Sequence, residues 1–134
     1  MLKLNRLLVV MSVERSGLTQ QDNEQATSRF KTWLTECEYP YDEAVGYYKG
    51  AQENSFVIQC LDFSDVGRLQ EEAALAGQEC IMIVDARSKA FLYYPDKCKL
   101  DYIGLMYSFN KELDAGRAIP EACTIVGDEV YYAI

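Results

Sequence analysis

Residues 41–60, YDEAVGYYKGAQENSFVIQC, carry the stretch on which the fold turns. Two extended runs, residues 41–48 and 53–60, flank Lys49-Gly50-Ala51-Gln52, a glycine-containing connection of hairpin length. In the second run Phe56, Ile58 and Cys60 share one face, while Glu53, Ser55, Val57 and Gln59 share the other. The first is a core face. The second mixes polar and apolar groups and needs cover of its own.

Upstream of this hairpin, residues 7–13 place aliphatic side chains on consecutive positions, as a strand covered on both faces does. Residues 22–36 follow, with Ala26, Phe30, Trp33, Leu34 and Cys37 at the spacing of one helical face, ending before Tyr39-Pro40. Downstream, Asp62 or Ser64 caps a second helix with Val66, Leu69, Ala73 and Ala76 on one side and Gly77 at its end. Residues 80–84 read as a buried strand, and Ala86-Arg87-Ser88 turns the chain into a further strand at 90–94. The order strand, helix, strand, strand, helix, strand predicts an α+β ferredoxin-like βαββαβ sandwich, with two helices on one sheet face. To it are added a strand and a C-terminal hairpin around Gly127-Asp128. Residues 1–134 form a single ferredoxin-like domain on this reading, with 95–134 as a C-terminal extension anchored by Phe109 and Leu113. The face of Glu53, Ser55, Val57 and Gln59 would then lie open, so self-association through it is expected.

The composition is that of an ordinary folded chain: 49% of the 134 residues are hydrophobic and 25% charged. There is no histidine, which removes histidine general bases, histidine-activated nucleophiles and imidazole metal ligands. A formal net charge of −8, with its 13 Lys and Arg scattered, argues against nucleic acid as a partner. The same charge suits solubility as well as it suits a cationic partner. Cys37, Cys60, Cys80, Cys98 and Cys123 are odd in number and without a paired spacing, as reduced cytoplasmic thiols are, and metal is not expected. Lys3 and Arg6 precede the apolar run at 7–11 as in a signal peptide, but Ser12 and Glu14 end it without a small-residue cleavage site. The run reads as a strand, with no membrane association.

The densest group of reactive and aromatic residues is Tyr47, Tyr48, Glu53 and Ser55. A carboxylate beside tyrosines offers countercharge and aromatic quadrupole to a cation. A tyrosine-rich hairpin with solvated charges accounts for the same residues. Gln78, between Gly77 and the strand at 80–84, has the same two readings: it orients a ligand, or its amide simply holds a helix-to-strand connector. Tyr93, Tyr94, Tyr102 and Tyr107 suit a core or an interface better than a cofactor site.

At the hairpin the chain resembles the small bacteriophage S-adenosylmethionine lyases, long called SAM hydrolases. The matching pieces are the strand at 7–13, Gly46-Tyr47-Tyr48-Lys49, Glu53-Asn54-Ser55-Phe56, Gly77-Gln78-Glu79-Cys80 and Ser108-Phe109-Asn110-Lys111-Glu112. In order and spacing they cover nearly the whole chain. The resemblance implies a homotrimer of ferredoxin-like subunits with substrate bound between neighbours. It also implies that the substrate's own carboxylate displaces the sulfonium, giving methylthioadenosine and homoserine lactone, as a phage counter-defence against restriction. No cofactor is implied, S-adenosylmethionine being the substrate. Tyr48 and Glu53 take the places of the residues that matter most in the family, with Tyr47, Ser55 and Gln78 expected at the substrate. The chain departs from the family in its short connection at 49–52. Two other readings remain: a non-enzymatic phage inhibitor of a host protein, and a trimeric binding module for a small nucleotide.

Overall fold

The computed structural model describes residues 5–48 and 50–134. Eight strands and two helices follow in the order β1 (Leu7–Met11), α1 (Gln20–Glu36), β2 (Tyr41–Tyr48), β3 (Ala51–Cys60), α2 (Phe63–Leu75), β4 (Ile81–Val84), β5 (Lys89–Tyr94), β6 (Lys99–Asn110), β7 (Cys123–Val126) and β8 (Glu129–Ala133).

β1 is central because its aliphatic run serves two cores. Val9 and Met11 join Phe56 and Ile58 of β3 and Ile81 and Ile83 of β4 beneath the helices, while Leu8 and Val10 face the opposite way with Val57 and Val84. Both helices lie over the first of these clusters: α1 contributes Phe30 and Leu34, α2 contributes Val66, Leu69 and Ala73. Thr19 caps α1 by accepting from the Asp22 N–H, and Asp62 caps α2 by accepting from the Ser64 and Asp65 N–H groups. α2 ends where Gly77 takes φ +67°, with Gln78 N–H donating back to the Ala73 carbonyl.

A ferredoxin-like sandwich is not what the chain forms. The sheet is a closed antiparallel barrel in the order β1-β3-β2-β7-β8-β6-β5-β4, with β4 pairing back onto β1. The strand order β4-β1-β3-β2 covers only half of it. β5 to β8 bridge the free edges of β4 and β2, so residues from the expected extension at 95–134 are structural members of the barrel. The reason for self-association thereby falls away: the face expected to be open is the barrel interior. Ser55 and Val57 are buried there, in company with Ala44, Ala90, Met106 and Tyr131. Small residues at 44 and 90 suit an eight-stranded barrel, whose interior is just wide enough for side chains to fill.

Two local expectations also change. β3 begins at Ala51, so Ala51 and Gln52 belong to the strand rather than to the connection, and Gly50 takes φ +78°; Lys49 lies outside the described residues. Residues 95–122 hold the longest strand, β6, and Leu113 is no anchor at 89% exposure, although Phe109 is buried. The segment after β6 is held by Arg117, whose guanidinium lies 4.4 Å from the Phe109 ring centroid and hydrogen-bonds the Tyr132 hydroxyl. Among the described residues no helix is long and apolar enough to cross a membrane.

The helix-covered core carries a measurable pH signature. Burial, then the charges of Asp65 and Asp62, pushes the Cys60 thiol up to about 12; burial and the hydrogen bond to the Asp65 carboxylate push Tyr39 up to about 12. In the unfolded chain both groups release protons nearer their ordinary values, so the unfolded state gains as pH rises. Stability in urea is expected to hold up to about pH 8.5 and then fall steadily towards pH 12. Cys60→Ala should flatten the first part of that decline, and an unchanged slope would show that this thiol is not responsible.

Candidate active site

The β2–β3 hairpin delivers its reactive groups to one end of the barrel. Ala44 and Val57 belong to the interior cluster, so by strand alternation Gly46 and Tyr48 on β2, and Ser55 and Glu53 on β3, point the same way. The register places Gly46 directly opposite Glu53. A β-carbon on Gly46 would lie 3.2 Å from Ser55 Oγ and 3.9 Å from Glu53 Cγ. The missing side chain makes room for both. Ser55 is buried, whereas Glu53 and Tyr48 sit at the rim and keep contact with solvent, Tyr48 at 56% exposure.

Other strands complete this mouth. Tyr94 at the end of β5 senses the charges of Cys80, Asp101, Tyr48 and Glu79, although β5 stands four strands round the barrel from β2. Cys80, just before β4, senses Glu79 and Glu53. Glu14, beyond the end of β1, accepts the Asn54 N–H on Oε1 at 2.7 Å and the Asn54 side-chain amide on Oε2 at 3.3 Å. Carboxylates recur through this electrostatic web, from Glu14, Glu53, Glu79 and Asp101, and the mouth is accordingly a region of negative potential.

Glu53 is one of the groups affected. Although the residue as a whole is exposed, protein atoms crowd its carboxyl, and with the like charge of Glu14 they raise its pKa above the usual glutamate range. Burial also raises the Cys80 thiol, followed by Glu79 and Glu53, so Cys80 is a poor thiolate nucleophile. Such a site gains by accepting a positive charge, because a cation relieves the mutual repulsion of Glu14 and Glu53.

Of the residues singled out in the sequence, Tyr48, Glu53 and Ser55 come together. Tyr47 does not: it faces the other side of β2, against Phe109, Cys123, Val130 and Ile125. Gln78 is buried and its Nε2 donates to the Glu14 backbone carbonyl at 2.7 Å, so its amide is a structural strut beneath Glu14. Glu14, Cys80 and Tyr94 were not legible as candidates, because they come from the ends of β1, β4 and β5, which only long-range strand pairing sets in a row beside β3. A hollow also lies elsewhere. A cavity of about 440 Å³ on the outside of β2 and β3 is lined by Thr27, Glu43, Tyr47, Asn54, Phe56 and Lys111, among others. Its carboxylate, Glu43, is paired with Lys31 at 2.8 Å, whereas the Glu53 carboxyl at the interior mouth feels the like charge of Glu14. Among the described residues no three His, Cys, Asp or Glu gather as a metal-holding group.

The sequence matches the S-adenosylmethionine lyase family over residues 9–134. The chain belongs to that family. No curated protein matches it significantly. It is therefore an enzyme, a lyase acting on S-adenosylmethionine. That substrate carries a sulfonium and an ammonium, and a cation at the barrel mouth would relieve the repulsion between Glu14 and Glu53.

Proposed function

We propose that this lyase folds S-adenosylmethionine at the barrel mouth so that the substrate cleaves itself. An oxygen of the substrate's carboxylate attacks the γ-carbon of its own methionine chain, forming the lactone C–O bond. The γ-carbon–sulfur bond breaks and its electron pair goes to sulfur. The sulfonium becomes the neutral thioether of methylthioadenosine, and the remainder leaves as homoserine lactone with its ammonium unchanged. Charge balances without any proton transfer, so the protein's work is orientation and charge placement, where alignment supplies several kcal/mol.

Glu53 is the countercharge to the substrate's cationic part, and Tyr48 presents an aromatic face and hydroxyl beside it. Ser55 lies deeper on the same face, within reach of Glu53's neighbourhood. The observation that carries the proposal is the opposition of Gly46 and Glu53 at the rim, with the like charge of Glu14 acting on Glu53. Ligand sites of this kind enclose most of their ligand, yet Tyr48 and Glu53 stand at an open rim. That openness supports a working homotrimer in which a neighbouring copy covers the mouth, and the exposed Leu100, Tyr102, Tyr107 and Ile134 offer apolar surface for association. The biological role we assign is removal of the methyl donor in the cytoplasm of a phage-infected bacterium.

Incubation with S-adenosylmethionine followed by chromatography tests the reaction. Methylthioadenosine and homoserine lactone are expected in equal amounts. Intact substrate recovered from tightly binding protein would overturn the lyase reading in favour of a binding module. Sedimentation equilibrium should return three times the chain mass, and a monomer at working concentration would remove the shared site.

A further inference from the structure

A side-chain contact ties the end of β1 to the site. Glu14 reaches across to β3 and takes both the backbone N–H and the side-chain amide of Asn54, the residue next to Glu53. Its own carbonyl is held from below by Gln78, whose buried side chain bridges from the α2–β4 connection. Three segments far apart in sequence thus meet at one residue, Asn54 at its carboxylate and Gln78 at its backbone carbonyl. A two-point clamp of this kind exceeds what strand pairing needs, since β1 and β3 are already in register from Leu7↔Cys60 to Met11↔Phe56.

We propose that Glu14 is a positioning residue for the lyase site: its clamp on Asn54 fixes the strand step that carries Glu53, and its charge stands beside the Glu53 carboxyl to bias it towards a cationic ligand. The inference rests on the reading of Glu53 as the substrate's countercharge. The groups that act on or share a face with Glu53 are Glu14 after β1, Tyr48 on β2 and Cys80 before β4; Glu79 acts on Cys80, and Tyr94 on β5 senses Cys80, Tyr48, Glu79 and Asp101 on β6. Glu14 is the one whose charge raises Glu53 in addition to burial. Activity needs Glu53 ionised, so removing the Glu14 charge should let Glu53 ionise at lower pH.

Glu14→Gln keeps an oxygen to accept the Asn54 N–H and removes the charge. Its kcat/KM profile is expected to keep its shape while the acid limb moves to lower pH by at least half a pH unit, roughly the shift expected from losing one neighbouring charge. Glu14→Ala, which loses the clamp as well, should lower kcat at every pH at least about tenfold, as misplacement of a site does. A purely structural Glu14 would change stability and leave the acid limb where it is. An unmoved limb in Glu14→Gln, with kcat unchanged in Glu14→Ala, overturns the proposal. Carbon-detected NMR titration of the Glu53 carboxyl in substrate-free protein reads the same coupling without turnover. A shifted NMR midpoint beside full activity in Glu53→Gln would uphold the Glu14 coupling and reject the catalytic role of Glu53. An unshifted midpoint rejects the coupling itself.

Discussion

Glu53→Gln is expected to lower kcat/KM for S-adenosylmethionine at least about a hundredfold, the loss that follows removal of a preorganised charge from a partly desolvated site. The barrel should remain folded, because glutamine matches glutamate in shape and Gly46 leaves the same space opposite it. Melting temperature should in fact rise at neutral pH. The Glu53 carboxyl has a folded pKa above its ordinary value, owing to burial and then to Glu14, so the folded state binds its proton more readily than the unfolded state does. Protonation of this group therefore stabilises the fold below the ordinary glutamate pKa, and that stabilisation is lost as pH rises through the raised one. A neutral glutamine is spared the loss, and its advantage should shrink as the pH is lowered towards 4, near the ordinary glutamate value. Paired calorimetry at neutral and acid pH with product assays separates the two effects. A variant that turns over like the parent removes Glu53 from the site.

The second large effect falls on barrel closure. Gly104, within β6, has φ +120°, and a β-carbon there would collide with the backbone carbonyl group of Ile134. Leu105 and Ile134 exchange two hydrogen bonds at 3.0 Å at this point, continuing the β6–β8 ladder beyond Met106↔Ala133. Gly104→Ala cannot keep both the backbone angle and the ladder. The expected cost is on the order of 3 kcal/mol, or roughly 10 °C in Tm for a chain of this size. Gly67 in α2 is the control, since a β-carbon there meets nothing within 4 Å. Gly67→Ala should be neutral or stabilising by up to about 1 kcal/mol through helix propensity. Equal melting temperatures for Gly104→Ala and the parent would mean that this edge does not hold the barrel closed.

Both substitutions probe features of different legibility. The alternation at 53–60 announced two faces, and the aliphatic run at 7–11 announced a strand buried on both sides; each holds because side-chain direction in a strand is local. Helix periodicity at Ala26, Phe30, Trp33 and Leu34, and at Val66, Leu69 and Ala73, is equally local, and both helices lie where it put them. The same alternation separates Tyr47 from Tyr48, yet grouping them by proximity in sequence placed both at the substrate. β6 was not legible. Lys99 to Asn110 lacks clean alternation because a register shift opposite Ala90/Phe91 and Gly104 interrupt it.

Composition, periodicity and turn residues determined the helices, the early strands, the hairpins and the carboxylate–tyrosine pair at the β2–β3 turn, since all of these depend on neighbours within a few residues. Only the tertiary structure decided that the mixed face of β3 lines a closed barrel, and that Glu14 and Cys80 come near Glu53 at its mouth, with Tyr94 near Cys80 and Tyr48. Closure depends on which distant strand edges pair, and pairing of that range leaves no period in the chain to read.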